Sequence, residues 1–142
     1  MNSVRVVHSR VFAATPGGGN PCPVVVEGAG LSDEAMLGLA RRYGLDTVFV
    51  LPPQRDGDIR MRYFVPDHEL GVSGHATIAG ITVATNGKEW PARPMRVETI
   101  DGVFEVTRHT RDSDIEEAGQ RQSRRAGEVD PTCRRREKIG HV

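Results

Sequence analysis

The sequence has little of what marks several common protein classes. Aromatic residues make up 5% of the 142 residues, there are two cysteines, and the formal net charge is zero. No stretch approaches the roughly 18 consecutive apolar residues that a membrane span needs. Two distant cysteines, Cys22 and Cys133, define neither a disulfide framework nor a zinc site. The balanced charge gives no electrostatic case for binding nucleic acid or an anionic membrane.

The N-terminal stretch has no apolar signal core, so we expect a cytoplasmic protein. The length gives room for one ordinary domain, and a hydrophobic content of 37% permits a modest core. Residues 108–142 differ, because they contain no aromatic residue and many charged ones. Such a segment buries too little apolar surface to offset its ordering entropy, so we expect a poorly ordered tail. Its Arg-rich runs leave a nucleic-acid patch as the alternative.

The first 107 residues alternate between strand and helix patterns. Val-rich or alternating segments predict strands, in order "SVRVVHSRVF", "VVVEG", "DTVFV", "DIRMRYFV", "MRVETI" and "VFEVT". The Gly- and Pro-rich "ATPGGGNPCP" predicts a loop. "LSDEAMLGLARRYG" predicts a helix that Ser32 caps and Gly44 ends. These elements together indicate an α+β fold.

"SGHATIAGITVATNG" is ambiguous on composition. Its β-branched residues suit a strand, whereas its length and small residues suit a helix that is apolar on every side. If a helix begins at Ser73, the free amides of Gly74 and His75 point out of its N-terminus and can bind an anion such as a carboxylate. His75 can then donate a hydrogen bond or move a proton. The alternative is that Ser73 only caps and His75 only packs.

Other polar residues are weaker candidates. Asp46 opens an apolar strand, where it is either a general base or a solvated loop residue. Asn20, in "GGGNPCP", can hold a ligand or simply form a turn. Cys22 can be a thiolate base or a small core residue. His68, Glu69 and His75 match no standard metal-ligand spacing, so we expect no metal site.

An ordered set of segments resembles the PhzF-like phenazine-biosynthesis isomerase family, within the diaminopimelate epimerase-like superfamily. The set comprises "GNP", "LSDEAMLGLARRYGLDTVFVLPP", "IRMRYFVPDHELGVSGHATIAG" and "VETIDGVFEV", and it covers about residues 4–107. The resemblance implies two similar lobes per chain, each a mixed sheet curled around a central buried helix, with the active site between them. Residues 1–107 would be the N-terminal lobe. We expect that residues 108–142 are a disordered or frame-shifted tail and that the second lobe is absent.

The resemblance also implies chemistry. Family enzymes move a proton on a small carboxylate-bearing substrate without a metal or organic cofactor, in biosynthetic processes, and we expect a homodimer. Asp46 falls on the family's proton-shuttling glutamate and His75 on its histidine, so these would be catalytic. Asn20, Ser73 and Gly74 would bind the substrate. Ser73 departs from the catalytic cysteine of the related proline racemases, and Asp46 is one methylene shorter than glutamate. The alternative function is a non-catalytic half-domain that binds a small carboxylate or a partner protein.

Overall fold

The computed structural model describes residues 3–11, 18–85 and 93–107, together with the backbone of residues 134–138. Its first half contains β1 (Ser3–Val11), β2 (Asn20–Val25), α1 (Asp33–Tyr43), β3 (Thr47–Leu51) and β4 (Ile59–Phe64). Its second half contains β5 (Glu69–Leu70), α2 (Gly74–Ala84), β6 (Met95–Thr99), β7 (Gly102–Val106) and β8 (Arg134–Lys138). Neither helix in the described ranges is long and apolar enough to cross a membrane.

The strands form one open, curled, mixed sheet in the order β7-β6-β4-β3-β2-β1-β8, and the short β5 pairs with β4. Two neighbouring pairs are parallel, β2 with β3 and β4 with β6, and the others are antiparallel. Parallel neighbours need a crossover connection. Helix α1 lies in the first crossover and α2 in the second.

The two helices pack on opposite faces of the sheet. Successive side chains of a strand point to opposite faces, so neighbouring residues of β3 show which helix covers each face. Val48 belongs to the cluster that contains residues of α2, whereas its neighbour Phe49 belongs to the cluster that contains residues of α1. Seven of the eleven residues of α2 are buried. The predicted α+β class is confirmed, and the ambiguous segment is a helix rather than a strand.

Helix α1 follows its sequence signals. The Ser32 hydroxyl accepts a hydrogen bond from the Ala35 amide at 3.1 Å, which satisfies one free donor of the first turn. Gly44 ends the helix at φ 64°, in the left-handed region that glycine adopts without a steric penalty. The amide of Gly44 bonds back to the carbonyl of Ala40 at 2.9 Å. The prediction of this helix is therefore confirmed at both ends.

Strand β2 begins earlier than the sequence indicates, because Asn20–Pro23 lie in the predicted loop. Antiparallel pairing with β1 starts at Asn20, opposite Val11. Pro21 and Pro23 alternate with Cys22, so their missing amide donors fall on one side of the strand. Pairing with β3 starts only at Val24, so these prolines lie where β1 is the sole neighbour in the described ladder.

Strand β8 comes from the segment that we expected to be a poorly ordered tail. Its backbone pairs antiparallel with β1, with Ser3 opposite Lys138 and Val7 opposite Arg134. Such a ladder is held by backbone hydrogen bonds and therefore does not require apolar side chains. Residues 108–133 and 139–142 lie outside the described residues, so the rest of the tail prediction is untested.

Candidate active site

Helix α2 begins without the side-chain cap that its sequence seemed to offer. Ser73 is the N-cap residue, in an extended conformation, but its side chain makes no capping hydrogen bond. Its carbonyl instead accepts the Thr77 amide at 2.9 Å and the Thr77 hydroxyl at 2.7 Å. The first amides of a helix have no intrahelical partner. The Ser73 hydroxyl therefore leaves the first turn uncapped, in contrast to that of Ser32.

The Ser73 hydroxyl turns toward the imidazole of His75. The distance from Ser73 Oγ to His75 Nδ1 is 3.3 Å, and Ser73 is 9% exposed. Which atom donates depends on the tautomer of the ring. The Ser73 side chain therefore contacts the imidazole of His75 instead of capping the helix.

The other nitrogen of the same ring faces Asp46. His75 Nε2 lies 3.5 Å from Asp46 Oδ2, with the two side chains 21% and 37% exposed. Asp46 reaches this place because α1 ends at Gly44 and β3 starts at Thr47, one residue after the aspartate. The Thr47 hydroxyl donates to the Leu45 carbonyl at 3.1 Å, which holds the short connection. Two candidates that are distant in sequence thus meet at the start of α2.

Two buried hydroxyl groups, those of Tyr63 and Thr77, support the start of α2 through hydrogen bonds. The Tyr63 and Thr77 hydroxyls lie 2.7 Å apart, and Thr77 bonds in turn to the Ser73 carbonyl. Burial raises the pKa of Tyr63, so the phenol is neutral near pH 7. The sequence analysis missed both residues. Only the spacing of Thr77, one helical turn after Ser73, offered a signal.

Cys22 is a buried core residue close to Asp46. It is fully buried, and its thiol donates to the Pro23 carbonyl at 3.8 Å. Burial, and secondarily the negative charge of Asp46, raise its pKa from 9.0 to about 12. A thiol with that pKa is protonated at neutral pH. The structure favours the core interpretation over a thiolate base.

Gly74 lies next to the group formed by Asp46, Ser73 and His75, whereas Asn20 is not hydrogen-bonded or ion-paired to it in the described ranges. Gly74 is exposed, and a Cβ added to it would meet no atom within 4 Å, so open space lies beside the backbone there. Asn20 is exposed at the start of β2, and within the described ranges no hydrogen bond or ion pair joins it to Asp46, Ser73 or His75. Of the predicted site residues, the structure groups Asp46, Ser73, Gly74 and His75.

Glu69 and His68, which lie near His75 in the sequence, do not meet in a metal-binding group in the described part of the chain. Glu69 accepts two hydrogen bonds from Arg62, each at 2.7 Å, and Arg62 also donates to Asp33. His68 is exposed. Among the described residues, no three His, Cys, Asp or Glu side chains are grouped so that they could hold a metal ion.

A separate cavity of about 240 Å³ lies on the α1 side of the sheet. Its lining includes Leu31, Met36, Leu51 and Arg60. Asp46, Ser73 and His75 are not among its lining residues. The candidate active site therefore lies outside this cavity.

Comparison with known proteins identifies relatives of this chain. It is 35% identical over 112 residues to the trans-2,3-dihydro-3-hydroxyanthranilate isomerase of Pseudomonas aeruginosa, a match that covers 78% of this chain and 40% of that protein. It is 28% identical over 116 residues to the uncharacterized isomerase YfhB of Bacillus subtilis, covering 81% of this chain and 40% of YfhB. The chain thus spans about 40% of the length of these curated relatives.

Solved structures give the same relationship. A PhzF-family phenazine biosynthesis protein of Bacillus anthracis superposes with a TM-score of 0.69 at 32% identity, over 79% of this chain and 38% of that one. A hydroxyproline epimerase of Agrobacterium vitis has a TM-score of 0.55 at 15% identity, over 78% of this chain and 38% of its own. The second likeness concerns the fold alone.

The family model described as "Phenazine biosynthesis-like protein" matches residues 9–138. The match continues past residue 107, where the resemblance in the sequence was expected to end. The family match therefore extends further along the chain than the segments of residues 4–107 that carry the resemblance. With well over half of its 142 residues matched, the chain belongs to the phenazine biosynthesis-like (PhzC-PhzF) family.

Proposed function

We propose that this chain forms one lobe of an isomerase or epimerase that moves a proton on a small carboxylate-bearing substrate, without a metal or organic cofactor. Residues 1–107 would make up the lobe, with the sheet curled around α2 as its central helix. Two chains would associate as a homodimer in the cytoplasm. Family membership supports the reaction class, since both curated relatives compared above are named isomerases.

The substrate carboxylate would bind at the start of α2. The uncapped first turn, the open space beside Gly74 and the Ser73 hydroxyl support this assignment. Backbone amides and the helix dipole both favour a negative charge at a helix N-terminus. Asn20 would contribute from the start of β2, once a substrate or a second lobe closes over the site.

Asp46 would take the proton from the activated carbon, and His75 would assist the transfer. A general base must reach the proton it abstracts, and Asp46 is half-buried beside an imidazole at 3.5 Å. Because aspartate is shorter than glutamate, the substrate would have to lie closer to β3 than in relatives that carry glutamate. A misplacement of about 1 Å can cost on the order of 10²-fold in rate.

The contact between the Asp46 carboxylate and the His75 imidazole, beside Ser73, is the single observation that carries the proposal. The test is incorporation of deuterium from D₂O into a panel of small amino acids, including cyclic ones with a ring double bond. We expect exchange by the full chain and a loss of about 10²–10⁴-fold in Asp46→Ala, the usual effect of removing an acid–base group. Asp67→Ala, at an exposed aspartate, is the matched control. Equal exchange in both variants would remove Asp46 from the mechanism.

A non-catalytic half-domain that binds a small carboxylate or a partner protein is the second candidate. The short coverage of the relatives favours it, since the chain spans about 40% of their length. Calorimetric titration with the same acids distinguishes the two functions. Binding that Asp46→Ala leaves intact, in the absence of any deuterium incorporation, would support the half-domain.

A further inference from the structure

The imidazole of His75 is contacted at both of its nitrogens. Nε2 faces the Asp46 carboxylate at 3.5 Å, and Nδ1 faces the Ser73 hydroxyl at 3.3 Å. A neutral imidazole carries a proton on one nitrogen and a lone pair on the other, so it can accept at one side and donate at the other. The ring therefore connects two oxygen-bearing side chains that do not contact each other directly.

We propose that Asp46, His75 and Ser73 form a two-ended proton relay in which Ser73 is a second catalytic residue. The relay rests on the proposed function, and it extends the role of Ser73 beyond holding a carboxylate. Asp46 removes the proton at one carbon of the substrate, and the Ser73 hydroxyl returns a proton at another. Migration of a double bond requires this combination of removal and return at different atoms.

The proton balance closes on these three groups. The carboxylate of Asp46 takes a proton from carbon and passes it to Nε2 of His75. Nδ1–H gives its proton to Ser73 Oγ, while the hydroxyl proton moves to the second carbon. One proton enters and one leaves, and the ring ends as the other tautomer. Since the His75 side chain is 21% exposed, exchange with solvent can restore the starting tautomer.

Ser73 is available for this role because the helix does not use its hydroxyl. Its side chain makes no cap bond, whereas Thr77 holds its carbonyl twice, at 2.9 Å through the amide and 2.7 Å through the hydroxyl. The backbone that carries the hydroxyl is therefore fixed while the hydroxyl faces the ring. The open space beside Gly74 leaves room for a substrate next to it.

The charges around the ring are simple within the described ranges. Asp46 is the charged group that contacts it. Cys22 and Tyr63 are the buried titratable groups nearby, and burial raises the pKa of each, so both are neutral at pH 7. The ionisation of a hydroxyl or thiol at position 73 therefore depends on the His75 imidazole and the Asp46 carboxylate, and not on other charged groups in the described ranges.

The experiment replaces the hydroxyl with a thiol, whose ionisation can be measured without any substrate. In full-length Ser73→Cys, the rate of alkylation by iodoacetamide is followed against pH at the peptide that contains position 73. The matched control is Ser32→Cys, at the N-cap of the other eleven-residue helix, where no histidine contact is recorded. Cys22 serves as an internal buried thiol.

If the relay exists, the alkylation rate of the thiol at position 73 reaches half of its maximum about one pH unit below that of the thiol at position 32. This midpoint does not depend on how accessible each thiol is, whereas the absolute rate does, since Ser73 is buried and Ser32 is exposed. The midpoint at position 73 rises in Ser73→Cys/His75→Gln, because the imidazole favours the thiolate. Equal midpoints at the two positions, or a midpoint at position 73 that His75→Gln leaves unchanged, would overturn the relay. The comparison of positions 73 and 32 does not depend on the folding of the double variant.

Failure of the relay differs measurably from failure of the proposed function. A thiol midpoint at position 73 that equals the one at position 32, together with an Asp46-dependent deuterium exchange, would refute the relay and keep the proton-transfer function. A lowered, His75-dependent midpoint in a chain that exchanges no substrate proton would show the coupling of Ser73 and refute the enzyme instead. If the chain does exchange substrate protons, Ser73→Ala is compared with Asp46→Ala in the same assay, and the relay requires both variants to lose activity.

Discussion

Cys22 is a buried thiol under the electrostatic influence of Asp46, and it makes stability sensitive to alkaline pH. Its pKa is raised to about 12 in the folded chain, against 9.0 for an exposed thiol. Above pH 9 the unfolded thiol loses its proton while the folded one keeps it, so stability falls as the pH rises toward 12. For this group alone the expected loss at pH 10 is about 1.4 kcal/mol.

Urea unfolding at pH 8 and pH 10 measures this effect, with Cys22→Ala as the control. Tyr63 also has a raised pKa and contributes a loss of the same sign. The thiol is isolated by comparing the change of stability from pH 8 to pH 10 in the two proteins, because the packing lost in Cys22→Ala affects both pH values equally. An identical change of stability between the two pH values in both proteins would contradict the assignment.

The sequence identified the polar residues of the site one by one, but not their contacts. The position of Ser73, Gly74 and His75 follows from the N-terminus of a helix, which the sequence could predict. That Asp46 meets His75 depends on β3 packing beside α2, which local patterns do not encode, and it came from the family resemblance. The supporting roles of Tyr63 and Thr77 depend on the same packing and were missed.

At the scale of elements, the two helices offer a matched pair of glycines. A Cβ at Gly38 in α1 would meet no atom within 4 Å, whereas one at Gly80 in α2 would lie 2.7 Å from Met61 Cε and 2.9 Å from its sulfur. We expect Gly38→Ala to stabilise the chain by about 0.5–1 kcal/mol through helix propensity. Gly80→Ala should instead destabilise it by about 1 kcal/mol, since overpacking a core outweighs that gain.

Thermal unfolding of the two variants beside the parent chain gives the comparison. Met61 is fully buried, and its sulfur lies 3.6 Å from the Tyr63 hydroxyl oxygen, so its side chain has little freedom to move away. A stabilised Gly80→Ala would show that α2 packs less closely on β4 than described.

Comparing each predicted element with the observed one shows which elements the sequence patterns could predict. Helix α1 carries caps and an amphipathic stripe, and its bounds were predictable. Helix α2 carries β-branched residues that favour a strand, but Thr77 and Thr85 return their hydroxyl bonds to carbonyls four residues earlier, at 2.7 and 2.9 Å. Strand β5 has two residues and β8 has charged ones, so neither has an apolar pattern that could reveal it.

For the molecule as a whole, exposed apolar side chains predict self-association. Among the described residues, the large ones are Val72 (50%), Ile100 (52%) and Phe104 (42%). The backbone of Gly71 packs against Asp101, which brings the loop before α2 next to the turn between β6 and β7. Val72 and Ile100 flank this contact, beside the candidate site, so we expect a second copy or lobe to cover them.

Sedimentation velocity over a range of concentrations tests this expectation. The parent chain should sediment as a mixture of monomer and dimer, and Ile100→Ser/Phe104→Ser should shift it to monomer. Glu105→Ser, at an exposed polar neighbour on β7, is the control and should leave the association unchanged. A parent chain that stays monomeric at every concentration would argue against a covered face.

The pairing of β8 with β1 has a consequence for how the chain is made. Residues 3–7 emerge from the ribosome before the other described strands, yet their outer partner, residues 134–138, is synthesised last among those strands. Until then β1 carries a free row of amides and carbonyls, which is a template for joining another nascent copy. Closing such a long loop is slow, so the folding chain should pass through a period in which β1 can pair with another nascent copy. Chaperones or slower translation would change the length of that period.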